Sequence, residues 1–110
     1  YEYVCRRAAA DWNVNGNCAV TASALDTNTL RRVRAAVGEM PILLLGVGAQ
    51  GGNTIESVGC GRAKKSLGLI INASRSIIYA SSSSDYREAS IEAARKLNDD
   101  IRQAATAKLD

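Results

Sequence analysis

Ile42-Leu43-Leu44-Leu45-Gly46-Val47-Gly48-Ala49-Gln50-Gly51-Gly52 is the stretch that decides the fold. A short apolar run that ends in glycines reads as a buried strand opening into a tight loop. Glycine lets backbone N–H groups approach a ligand closely, because no Cβ stands in the way. Gln50 is the one long polar side chain of that loop. A second apolar run, Leu69-Ile70-Ile71, follows about twenty residues later and ends in Asn72-Ala73-Ser74-Arg75. Two consecutive strands thus end in polar loops. One offers backbone amides and an amide side chain, the other a guanidinium, and that combination suits a phosphate.

Working outward, residues 1–12 carry helical spacing, with Val4, Ala8 and Trp12 on one face. Asn15-Gly16-Asn17 marks a turn, and residues 18–22 read as a short strand. Asp26 or Thr27 caps a helix that turns Leu30, Val33 and Val37 inward and Arg31, Arg32 and Arg34 outward. Gly38 stops that helix, and Pro41 opens the strand 42–45. A short helix from Thr54 to Cys60 should bury Ile55 and Val58. A polar connection from Gly61 to Ser66 then leads into a strand at 68–72. Ser81 to Ser84 is a low-complexity loop. Asp85-Tyr86-Arg87-Glu88 has capping-box spacing, with Asp85 in the cap position. The last helix aligns Ala94, Leu97, Ile101 and Ala105.

Apolar strands separated by amphipathic helices indicate parallel βαβ units. The fold class is α/β. About three βα units after a leading helix are too few for a closed eight-stranded barrel, and they fit the C-terminal portion of a (β/α)8 barrel. In such barrels the loops after the last two strands form a recurring phosphate site, which would set Gln50 and Arg75 on one face.

Composition narrows the function. The 110 residues suffice for one small domain, and 46% of them are hydrophobic, enough to build a core. Residues 1–110 are read as one segment of a single barrel domain. The chain begins with Tyr1 in the middle of a helical pattern, which suggests a piece of a longer protein. A net charge of +3 comes from scattered basic residues, with four Tyr and one Trp beside them. That lacks the concentrated patch or stacking aromatics that nucleic acid needs. No run is long enough to cross a bilayer, so no membrane partner is expected. Cys5, Cys18 and Cys60 have no CxxC spacing, which gives no support to a metal site and makes a reduced, cytoplasmic or other intracellular soluble setting the default. Without histidine there is no imidazole for a triad or a metal.

Gly46-x-Gly48-x-x-Gly51 formally matches the dinucleotide fingerprint. The acidic residue expected about twenty positions later is missing around Asn72, and Gly51-Gly52 lengthens the loop before any helix. Arg75 lies between the apolar runs 69–71 and 77–79. A charge buried there would need a partner, which a phosphate supplies by bidentate contact.

Together, the glycine loop 46–52 and the segment Asn72-Ala73-Ser74-Arg75-Ser76-Ile77-Ile78-Tyr79-Ala80 resemble the C-terminal part of the orotidine 5′-phosphate decarboxylase family. The likeness is to the long bacterial branch, also found fused to orotate phosphoribosyltransferase in kinetoplastids. Tyr3, Val4, Trp12-Asn13 and Gly16-Asn17 fit that branch too. The resemblance implies that Gln50 reaches the phosphate and pyrimidine of orotidine 5′-monophosphate or UMP. It implies that Arg75 grips the phosphate, and that backbone around Gly51, Gly52, Ser74 and Arg75 completes the cradle. It also implies that the rest of the barrel is a partner and that no metal or organic cofactor is required.

The chain departs from the family pattern at Leu45, where a proline is usual, and at Asn53, where an aspartate is common. Thr21-Ala22-Ser23-Ala24-Leu25 stands where the family has Val-Val-Gly-Ala-Thr. The family's Asp-x-Lys-x-x-Asp pattern, which carries the decarboxylation, does not occur in the chain. The expectation is therefore the substrate's handle without its reacting groups. The alternative is a non-catalytic half-barrel that retains phosphate or nucleotide affinity.

Overall fold

Three strands, β1 (Val20–Ser23), β2 (Ile42–Leu45) and β3 (Leu69–Ile71), form one sheet in the order β1-β2-β3, and both pairings are parallel. The computed structural model describes residues 1–48 and 52–107. The helices are α1 (Glu2–Arg7, running on as a π-helical turn, Ala8–Trp12), α2 (Thr27–Val37), α3 (Thr54–Gly61), α4 (Arg75–Ile78) and α5 (Tyr86–Thr106). Each strand leads into a helix, as the alternation of periods requires. The first strand lies two residues later than expected, and α4 was not expected at all.

Side chains alternate across a sheet. Val20, Ala22, Ile42, Leu44, Leu69 and Ile71 therefore share one face, and they pack into the core with Leu30, Val33 and Val37 of α2. The other face carries Thr21, Ser23, Leu43, Leu45 and Ile70, and it is much more open. The expectation of strands buried along their length fails for Leu45 and Ile70, because the helices cover one face only.

The cap of α2 is Asp26. Its carboxylate accepts from the Thr29 amide at 3.0 Å and from the Thr29 hydroxyl at 2.7 Å. Gly38 ends the helix at φ +60°. The Thr29 hydroxyl and amide hold the Asp26 carboxyl below its ordinary range. A group with a depressed folded pKa contributes stability above its unfolded pKa and loses it as pH falls through the folded value. Urea midpoints of wild type and Asp26→Asn should thus differ at neutral pH and converge as pH falls through the lowered titration of the folded carboxyl. A gap that persists unchanged into strong acid would contradict this role.

Arg34 does not point outward. It lies four residues from Leu30 and three from Val37, which puts it on the same helical stripe. It is 9% exposed. Its Nε donates to Gly61 O at 2.6 Å, Nη1 to Gly38 O and Met40 O at 2.7 Å, and Nη2 to Gly68 O at 2.7 Å. One guanidinium thereby joins the end of α2, the end of α3 and the approach to β3. Burial pulls its pKa down, partly offset by Glu39, but an arginine remains charged.

Other faces shift in the same way. On α1 the buried residues are Cys5 and Ala8, whereas Val4 and Trp12 are exposed. On α3 Val58 is buried and Ile55 is not. On α5 the inner stripe is Ala93, Leu97, Ile101 and Ala104, and Ala94 is exposed. Asp85 makes no side-chain cap on α5. Its carboxylate instead accepts from the Ser81 hydroxyl at 2.5 Å. Arg62 closes the far end of α5, where its Nη1 donates to Ala104 O, Ala105 O and Ala107 O. No helix among the described residues is long and apolar enough to cross a membrane.

Candidate functional site

The C-terminal ends of β2 and β3 lie side by side. The loop after β2 turns through Gly46 (φ +87°) and Gly48 (φ +73°), a region that favours glycine. The loop closes on itself. The Gly52 amide donates to Gly46 O and the Gly48 amide to Gly52 O, both at 3.2 Å. A Cβ on Gly52 would lie 2.7 Å from Gly46 O and 2.8 Å from Ala24 Cβ, so no side chain fits there. The Gly52 N–H is thus engaged within the loop in this conformation. Gln50 and Gly51 lie outside the described residues.

Behind the loop, Asn53 caps α3 by accepting from the Glu56 amide at 3.1 Å. Asparagine and aspartate both serve as caps, so this departure from the family keeps the local structure. Buried Ser57 donates to Ala24 O at 3.1 Å and ties α3 to the exit of β1.

At the exit of β3, the Asn72 amide donates to Leu44 O at 3.1 Å. Ser74 O accepts from the amides of Ile77 and Ile78, which closes the single turn of α4. The Ser74 hydroxyl donates to Asn72 Oδ1 at 3.4 Å. Arg75 begins α4 and is exposed. It is not the buried charge that its apolar flanks suggested, because residues 77–78 coil into a short helix instead of a strand. Among the described residues no carboxylate pairs with Arg75.

The two exits meet. Gly48 packs on Ser76, whose Oγ would be 3.0 Å from a Cβ built there. A cavity of about 140 Å³ opens between residues 45–47 and 72–76, with Ser74 and Arg75 in its wall. That is room for several water volumes. Asn72 and Ser76 also line it; the sequence marks both as members of the segment 72–80 and assigns neither a role at the site. A larger cleft of about 530 Å³ opens among Arg34, Gly38, Glu39, Cys60 and Arg62, near the entry to β2 and away from these exits. Two of its cations, Arg34 and Arg62, are already engaged by backbone carbonyls. Burial pushes the Cys60 thiol up, which makes it a poor nucleophile at neutral pH.

Over 101 residues the chain is 45% identical to the orotidine 5′-phosphate decarboxylase of Azoarcus sp. (strain BH72), a match covering 92% of the chain and 37% of that protein. The chain is similar to part of orotidine 5′-phosphate decarboxylase. The decarboxylase of Janthinobacterium sp. (strain Marseille) is 41% identical over the same share of the chain. A solved Leishmania donovani OMP decarboxylase superposes with a TM-score of 0.73 at 33% identity, covering 93% of the chain and 38% of that protein. A Leishmania donovani UMP synthase gives the same TM-score at 41% identity, and the chain covers 22% of it. No family model matches. The chain therefore spans little more than a third of the decarboxylases it matches, and its parallel βα units match part of their (β/α)8 barrel.

Proposed function

We propose that this chain is the C-terminal, phosphate-holding segment of an orotidine 5′-phosphate decarboxylase, which converts orotidine 5′-monophosphate to UMP and carbon dioxide. One observation carries the reading. In a homologue of these enzymes, the glycine loop after β2 and Arg75 after β3 adjoin one cavity at the same end of adjacent parallel strands. On this reading Arg75 takes the phosphate by a bidentate contact, and Gln50 reaches from the loop toward phosphate and pyrimidine. Gly51 and Gly52 let the loop backbone come close, and Ser74 sets the first turn of α4. A phosphate held at a distance from the reacting carbon supplies binding energy that the enzyme uses where carbanion-like charge develops. No metal or organic cofactor enters that scheme, and the protein is a soluble intracellular enzyme with no nucleic-acid or membrane partner. The likeness to a UMP synthase supports a parent in which orotate phosphoribosyltransferase is fused to the decarboxylase.

The groups that move the proton and face the leaving carboxylate are not in this chain. Lys64, Lys65, Lys96 and Lys108 belong to no Asp-x-Lys-x-x-Asp pattern. That absence also favours the second reading, a half-barrel that binds phosphate without catalysis. The purified chain should therefore show no turnover of orotidine 5′-monophosphate above background. Turnover that scales with protein and survives further purification would overturn this assignment of roles.

A further inference from the structure

We propose that Ser57 is a positioning residue for the glycine loop: acting through Ala24, its hydroxyl sets where the loop stands at the exits of β2 and β3. That the loop serves a phosphate rests on the reading above. That Ser57 holds the loop does not.

Ala24 directly follows β1 and is 2% exposed. Its two backbone groups go to the two stems of the loop. Its amide donates to Leu45 O at 2.7 Å, on the residue just before Gly46. Its carbonyl accepts from the Ser57 hydroxyl at 3.1 Å, on the helix that Asn53 caps just after Gly52. One residue at the exit of β1 thus clamps the base of the loop from both sides. The Ala24 methyl also fills the space beside Gly52. Gly52 bonds in turn to Gly46 and Gly48, so a shift of Ala24 is passed to both glycines. Gly46 and Val47 stand in the wall of the cavity between residues 45–47 and 72–76, which puts the clamp behind one side of it.

Neither helix formation nor packing accounts for Ser57. Serine is a weaker helix former than alanine, and inside a helix it can return its hydroxyl to the carbonyl four residues back. Here that carbonyl, Asn53 O, takes the Ser57 amide at 2.9 Å, and the hydroxyl crosses to a residue 33 positions away. Ser57 is fully buried. Alanine would fill nearly the same space and leave the buried Ala24 carbonyl without this bond.

The experiment measures amide hydrogen exchange by NMR on the free chain, then titrates the chain with UMP and with uridine. In Ser57→Ala the amides of Gly48 and Gly52 should exchange at least about tenfold faster, because a lost buried bond makes local opening easier. The Asn72 amide, bonded to Leu44 O at the other exit, should change far less. Val58→Ala is the control. It empties a buried site next in sequence and keeps the hydroxyl, so its effect should reach Asn72 and the glycines alike. Ser57→Cys keeps a weak donor and should fall between wild type and Ser57→Ala, and it carries the comparison if Ser57→Ala does not fold. Glycine amides that exchange as in wild type, or a rise shared equally by Asn72, would overturn the proposal. UMP affinity should fall at least about threefold in Ser57→Ala, with the uridine response unchanged. A UMP affinity equal to wild type would overturn the link from Ser57 to the site. Wild-type chain that answers UMP and uridine alike counts against the phosphate reading alone, and the exchange rates still decide whether Ser57 holds the loop.

Discussion

Arg34→Met should destabilise the chain by about 3 kcal/mol or more, enough to remove much of a small domain's stability. The arginine donates to four carbonyls, two between α2 and β2 and one at each end of the α3–β3 connection, and those of Gly61 and Met40 are buried. A hydrogen bond to a charged group is worth roughly 1.5–3 kcal/mol, and a buried carbonyl left unpaired costs about 1–3 kcal/mol. Methionine keeps the apolar stem and makes none of these bonds. Arg31→Met is the control. Arg31 is exposed and, among the described residues, donates only to Asn28, so its loss should fall within about 0.5 kcal/mol. Urea unfolding followed by circular dichroism measures both. Equal effects at the two positions would show that Arg34 is not the tie described above.

Arg75→Ala should leave folding nearly unchanged and damage nucleotide use. In a barrel completed by the missing portion of a homologue, kcat/KM for orotidine 5′-monophosphate should fall at least tenfold. Charge-assisted hydrogen bonds of this kind contribute roughly 1.5–3 kcal/mol each, and ~1.4 kcal/mol is a factor of ten. Orotidine without its phosphate should be far less affected. Equal losses for both substrates would make Arg75 a structural residue and remove it from the site.

The architecture was legible because the period of hydrophobicity is a backbone property. The runs 42–45 and 69–71, their glycine and proline punctuation and the stripe of α2 each specify an element without tertiary information. Which polar residue sits inside that stripe was harder to read. Arg34 occupies a core position because carbonyls from residues 61 and 68, distant in sequence, come within its reach only after folding. The same limit applies to α1 and α5, where alanine-rich helices leave the inward face loosely marked: Ala8, Leu97 and Ile101 face inward as expected, but their companions are Cys5, Ala93 and Ala104 in place of Val4, Ala94 and Trp12. At the site, the glycine loop and Arg75 stood out by residue type. Asn72 and Ser76 did not, since an ordinary polar residue acquires meaning there only when two strand exits meet. The open face could not be read at all, because Leu43, Leu45 and Ile70 look like any buried run until the helices are seen to cover the other side.

The most direct test is an NMR titration of this chain with UMP, with uridine as the reference. UMP should shift the backbone amides of residues 46–48 and 72–76 together, uridine should shift them far less, and Arg75→Ala should abolish the difference. Shifts centred on the cleft beside Gly38, Cys60 and Arg62, or a UMP response indifferent to Arg75→Ala, would contradict the account.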